Sequence, residues 1–261
     1  MQKLRALVTG ASEGLGKSFA FELASRNINL ILISLPNSGL PELAAFIRSN
    51  FNVEVVYFEL DLTKAELFED IFKRIKEMHL LIDILINNAG LGNWSWFEDK
   101  SIDFYKTQID LNITSTVLLT RLFLGHVSKA NHSYILNVGS LGGRFIVPRK
   151  QVYGATKSFI TYFTKCLQIE QSGSLVHISL LSPGGINTKP ELLVLNHSLK
   201  GISKATILEP DEVAKEAVEG LLKGKREIIP GTLNRFLVIL DSFLPGFIKG
   251  MIIKRKLNMI S

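Results

Sequence analysis

Leu4-Arg5-Ala6-Leu7-Val8-Thr9-Gly10-Ala11-Ser12-Glu13-Gly14-Leu15-Gly16 reads as a short apolar strand ending in a glycine-rich turn. Behind it, Phe19, Ala20, Leu23 and Ala24 recur at helical spacing. Glycines at a strand-to-helix turn admit positive φ and let the backbone approach a ligand closely. The helix N-terminus that follows offers unpaired N–H groups and a positive dipole end to a phosphate. The spacing here is Gly-x3-Gly-x-Gly, set between a strand and a helix, which is the context a dinucleotide-binding turn requires.

Outward from this stretch the alternation repeats. Apolar runs predict strands over 28–33, 53–60, 82–86, 133–138 and 175–181. Amphipathic periodicity predicts helices over 40–47, 64–78, 102–128 and 152–171. Apolar strands alternating with such helices call for an α/β fold, a Rossmann-type doubly wound parallel sheet with helices on both faces. Ligands in such sheets sit beyond the carboxyl ends of the strands, near the switch in strand order. The polar signatures all fall at strand ends: Asp61-Leu62, Asn87-Asn88-Ala89-Gly90, Ser140, and Ser182-Pro183-Gly184-Gly185-Ile186-Asn187-Thr188.

Composition narrows the function classes. The chain has 261 residues, 46% hydrophobic and 21% charged, enough to bury a large core in one domain. The division expected is a nucleotide-binding catalytic domain over 1–231 and a tail over 232–261. One cysteine, Cys166, cannot form an internal disulfide, and the N-terminus runs into a strand with no room for a signal peptide. A cytoplasmic setting is therefore expected. The five histidines show no metal-ligand spacing, so no metal is expected. Residues 231–261 hold +4 of the net +6, leaving a nearly neutral body that argues against nucleic acid.

Tyr153-Gly154-Ala155-Thr156-Lys157 supplies the chemistry. Residues i and i+4 share a helix face, so phenol and ammonium stand side by side. A free tyrosine ionises near pH ~10, and a lysine cation close by should lower that value towards the range useful for proton transfer. Ser140, 13 residues upstream, could hold a substrate oxygen.

Taken together, Thr9-Gly10-x3-Gly14-x-Gly16, Asp61-Leu62, Asn87-Asn88-Ala89-Gly90, Asn112, Ser140, Tyr153-x3-Lys157 and Pro183-Gly184-x-Ile186-x-Thr188 resemble the short-chain dehydrogenase/reductase family over nearly all of 4–231. The resemblance implies an NAD(P)-dependent oxidoreductase interconverting a ketone and a secondary alcohol. It implies that Tyr153 exchanges the proton and that Ser140 orients the substrate oxygen. Lys157 would lower the tyrosine pKa and hold the nicotinamide ribose, and Asn112 would hold a relay water by distorting its helix. It places the dinucleotide against Gly10, Ser12, Glu13, Gly14, Leu15, Gly16, Ser34, Asp61, Leu62, Asn88, Ala89, Gly90, Tyr153, Lys157, Pro183, Gly184, Ile186 and Thr188. A dinucleotide-sensing protein without chemistry, or a hydrolase-like use of Ser140 and Tyr153, are the alternatives.

The end of the second strand, Ser34-Leu35-Pro36-Asn37, carries neither the acid usual with NAD nor the arginine usual with NADP. Glu13 disfavours a 2′-phosphate, whereas Ser34, Asn37 and Ser38 could donate to one; NADP(H) is favoured and NAD(H) is the alternative. Trp94, Trp96 and Phe97, the stretch 142–148, and Leu192-Leu193-Val194-Leu195 make the expected substrate walls apolar, favouring a hydrophobic acyl-chain or steroid-like carbonyl. The tail is both apolar and basic, with no run of ~18–20 residues to span a membrane. It would lie on a membrane surface, cover the pocket, or pack in a homodimer or homotetramer, the oligomers common in the family.

Overall fold

β1 (Arg5–Thr9) and β2 (Asn29–Ser34) are buried along their whole length, as strands covered on both faces must be. The structure is a computed structural model and describes residues 3–127, 131–188 and 202–257. The other strands are β3 (Val55–Glu59), β4 (Ile84–Asn87), β5 (Ser133–Val138), β6 (Val176–Leu181) and the two-residue β7 (Glu227–Ile228). They form one parallel sheet in the order β3-β2-β1-β4-β5-β6-β7.

Alternation along each strand divides the core between the two faces. Ala6 and Val8 of β1 join Leu30 and Leu32 of β2 under α1 (Gly14–Ser25) and α2 (Leu40–Asn50). Leu7 joins Ile31, Ile33, Leu85 and Ile135 on the opposite face, under Phe68, Ile71, Phe72 and Ile75 of α3 (Leu67–Glu77). The doubly wound expectation holds. The order reverses between β1 and β4, and the turns after both strands meet there. Thr9 Oγ1 accepts from the backbone N–H groups of Asn88 and Ala89 at 3.0 Å each, and Asn88 Nδ2 donates to Thr9 O at 2.8 Å.

The single helix expected over 102–128 is broken. It consists of α4 (Ile102–Ile109), a π-helical turn Asp110–Thr114, and α5 (Ser115–His126). The cause is lateral. Asn112 is buried, its Oδ1 accepting from Leu91 N at 2.7 Å and its Nδ2 donating to Leu91 O and Thr156 Oγ1 at 3.0 Å each. These bonds draw one residue out of regular helical step, and π bulges of this kind cluster at functional sites.

α6 (Gln151–Glu170) follows, and then two elements that sequence periodicity does not single out, α7 (Pro210–Leu222) and β7. Val213, Ala217 and Leu221 of α7 pack into the same core face as α1. The tail forms two helices, α8 (Thr232–Phe243) and α9 (Gly246–Leu257), separated at Pro245 and joined by a Lys249–Asp241 ion pair of 2.8 Å. No helix among the described residues is long and apolar enough to cross a membrane. Leu192–Leu195, expected in the substrate wall, lie outside the described residues.

Candidate active site

The glycine-rich turn shows why its glycines are glycines. Gly10 and Gly14 adopt φ of +63° and +51°. A Cβ on Gly16 would stand 1.9 Å from Gly10 O, so even alanine cannot fit without moving the turn. A Cβ on Gly14 would press on Thr188 at 3.0 Å, which brings the loop after β6 against the turn after β1. The Glu13 side chain does not cap α1.

Around this cradle, Ser12 Oγ and Ser34 Oγ are 2.6 Å apart. Asn37 takes φ +59°, and its N–H donates to Glu59 Oε1 at 2.9 Å. Asp61 Oδ1 accepts from Thr63 N and Thr63 Oγ1, and the Leu62 side chain is buried in the core. These two therefore shape the rim chiefly through backbone. Pro183 O accepts from Leu141 N at 2.9 Å, tying the loop after β6 to Ser140. Ile186 bridges to Leu208, and Gly184 leaves room for Asn234, whose Nδ2 donates to Pro230 O and Thr206 O.

Tyr153 and Lys157 rise from the first two turns of α6. The tyrosine ring lies between two glycines: a Cβ on Gly92 would touch its Cδ2 at 3.4 Å, and one on Gly142 its Cε1 at 3.6 Å. Ser140 Oγ, just after β5, hydrogen-bonds the phenol and accepts from Gly142 N at 3.0 Å. Lys157 is 5% exposed, and its ammonium donates to Val138 O at 2.7 Å. Gly90 leaves space there, since a Cβ on it would lie 3.5 Å from Lys157 Nζ and 3.3 Å from Asn112 Oδ1. All four residues expected to be catalytic thus converge at the carboxyl ends of β4 and β5.

The electrostatics differ from expectation in one respect. A neighbouring lysine should lower the Tyr153 pKa. Burial dominates instead and pushes the phenol above its ordinary value of 10.0, with the Ser140 hydrogen bond pulling the other way. Lys157 Nζ lies 5.9 Å from the ring centre, and burial pushes the lysine itself down to about 8. Gly92 does not stand out in the sequence, and Thr9, Gly142 and Thr156 are read there only within longer stretches, with no role of their own. Their proximity to the motif glycines and to Tyr153 is the one signal it offers for them.

Trp94 and Trp96 are partly exposed beside the turn at Arg149 and Lys150, while Phe97 stacks on Tyr105. Among the described residues, no cluster of His, Cys, Asp and Glu suits a metal. A shallow depression lined by Leu60, Leu67, Asp70, Ile71 and Arg74 runs along α3 and includes none of the site residues.

Comparisons with known proteins agree with this architecture. A family model described as short chain dehydrogenase matches residues 4–192. The very-long-chain 3-oxoacyl-CoA reductase-A of Danio rerio is 34% identical over 189 residues, covering 70% of this chain and 58% of that protein. The chain therefore spans little more than half the length of that relative. The NADP-dependent 3-hydroxy acid dehydrogenase of Schizosaccharomyces pombe is 30% identical, covering 87% of this chain and 90% of that one. The solved short-chain dehydrogenase from Sphingobium yanoikuyae in complex with NADPH is 26% identical, with a TM-score of 0.77 over 93% of this chain and 96% of that one.

Proposed function

Because the chain belongs to the short-chain dehydrogenase family, we propose that it reduces the carbonyl of an apolar ketone to a secondary alcohol, using a nicotinamide dinucleotide. The observation that carries this reading is the Tyr153 ring, wedged between Gly92 and Gly142 with its hydroxyl on Ser140 and Lys157 one turn along.

The residues present fit the dinucleotide. A turn with two positive-φ glycines, opening directly into α1, suits a pyrophosphate. Gly90 and Gly92 keep the floor beside Lys157 and Tyr153 free of side chains. When bound, the dinucleotide supplies the hydride. Tyr153, kept protonated by burial, gives its proton to the substrate oxygen that Ser140 orients. Lys157 holds the ribose and, as an ammonium, favours the phenolate left behind. Asn112 positions the Leu91 loop against α6.

NADPH is the favoured form. Supporting it are the Ser12–Ser34 hydroxyl pair, the buried Ser38 Oγ that has no hydrogen-bond partner among the described residues, and the NADP named for the fission-yeast relative. Glu59, beside Asn37, weighs towards NADH. Fluorescence titration with both nucleotides tests the reading: tenfold tighter NADPH (~1.4 kcal/mol) supports it, tighter NADH reverses the preference, and binding of neither overturns the proposed activity.

The tail favours a second attribute, contact with an anionic membrane surface. Phe236, Ile239, Leu240 and Phe243 are all exposed at positions i, i+3, i+4 and i+7 of α8, and Phe247 and Met251 extend the apolar surface on α9. The tail carries +4, which repels a second copy of itself and attracts anionic lipid. Co-sedimentation with phosphatidylserine vesicles, lost on deleting 233–261, is the expected result. A concentration-dependent dimer with no vesicle binding would assign the face to a second copy instead.

A further inference from the structure

Two cations sit on two indoles at the lip of the site. The Lys150 ammonium lies 5.2 Å from the Trp94 ring centre and 5.4 Å from that of Tyr153, nearer to it than Lys157 is. The Arg149 guanidinium lies 4.8 Å from the Trp96 ring centre. The turn is held in place at a cost: Arg149 adopts φ +68°, a left-handed conformation that is strained in a non-glycine residue. Ser95 N, donating to Arg149 O at 3.0 Å, locks the two segments together.

Among the described residues, no acid pairs with Lys150 or Arg149, and Arg149 Nε is buried without a hydrogen-bond partner. A lysine ordinarily extends its ammonium into water. Here it lies over two rings, and burial pulls its pKa below the usual lysine value with no acid to oppose the shift. Cation–π contact returns less than is lost when a charge is taken out of water. An anion arriving from outside would supply what the protein withholds.

We propose that Lys150 and Arg149 form a binding site for an anionic group of the substrate, a carboxylate or a phosphate, beside the carbonyl that Tyr153 protonates. The inference rests on the reductase reading of the same site and narrows it. The substrate is an amphiphile, with an apolar body among the lip aromatics and an anionic end on Lys150 and Arg149.

The only two tryptophans of the chain are Trp94 and Trp96, so intrinsic fluorescence reports on this lip directly and without turnover. The test titrates the full chain with 3-hydroxydecanoate, its methyl ester and its phosphopantetheine thioester. Wild type should bind at least one anionic form tenfold more tightly than the ester. Selectivity for the free acid identifies a carboxylate, and selectivity for the thioester alone identifies a phosphate. Lys150→Met, which keeps the stem over the rings, should erase the preference, and Lys150→Arg should keep it. Equal affinity of wild type for acid, ester and thioester overturns the proposal, as does a Lys150→Met variant that weakens all three alike. Charge-selective binding without NADPH-dependent turnover would sink the reductase reading while leaving this site standing; turnover without charge selectivity would do the reverse.

Discussion

The ammonium of Lys157 donates to the carbonyl of Val138, so the last residue of β5 tethers the helix that carries Tyr153. A buried lysine in this position does two things at once. It holds α6 in register against the sheet, and it bears a charge that burial disfavours.

The stability consequence has a definite sign. Lys157 is pushed from 10.5 down to about 8 in the folded chain, so between those values the unfolded chain binds more protons. Stability from this group therefore rises with pH across that window and is lowest below it. Lys157→Met removes a charge whose burial costs about 3 kcal/mol near neutrality, because each tenfold loss of proton affinity is worth about 1.4 kcal/mol. The melting temperature of the variant minus that of wild type should fall as pH climbs from about 8 towards 10. A difference that grows with pH contradicts the assignment.

Tyr153 titrates above its ordinary 10.0, so at neutral pH the phenol is a proton donor. The ratio of alcohol oxidation to ketone reduction, at saturating cofactor, should increase steadily with pH up to that range. Tyr153→Phe should lose about 10²–10⁴-fold in reduction, the usual contribution of a general acid, with a far smaller change in NADPH affinity. Stopped-flow hydride transfer beside nucleotide titration separates the two effects.

Glycine positions divide into those with room and those without. Gly16→Ala drives a Cβ into Gly10 O, so dinucleotide affinity should drop beyond detection. Gly250→Ala in α9 meets nothing within 4 Å, and removing a helix-interior glycine should stabilise by about 0.5–1 kcal/mol. Nucleotide titration of Gly16→Ala and urea unfolding of Gly250→Ala, each alongside wild type, check the two outcomes.

Asn112 spends its amide on the Leu91 backbone and on Thr156. Asn112→Ala leaves the buried partners unsatisfied and should cost about 3 kcal/mol, the sum of three ordinary hydrogen-bond losses of about 1 kcal/mol each. Asn112→Asp keeps the acceptor for Leu91 N but loses both donors and sets a buried carboxyl oxygen against Leu91 O, so it should be at least as destabilising as alanine.

Local periodicity carried the fold. Leu7 and Val8 alternate between sheet faces, and Phe19, Ala20 and Leu23 line one helix face, because side-chain direction follows from backbone repeat alone. The strand of two residues at Glu227 is too short to leave a pattern, and α7 escapes notice although it completes the core face under α1. The π turn is invisible to periodicity because its cause, Leu91, lies 21 residues away.

The amino-acid sequence by itself determined the alternation of strands and helices, the glycines of the first turn, and the presence of Asn112, Ser140, Tyr153 and Lys157 at strand ends or on helices. Each depends on a few neighbouring residues. Tertiary structure alone decided that burial outweighs the Ser140 hydrogen bond in setting the Tyr153 proton, that Asn88 clamps two turns, and that Lys150 lies across Trp94 with no acid paired to it among the described residues. Desolvation and charge pairing are sums over everything packed within a few ångströms, and those neighbours come from segments far apart in the chain.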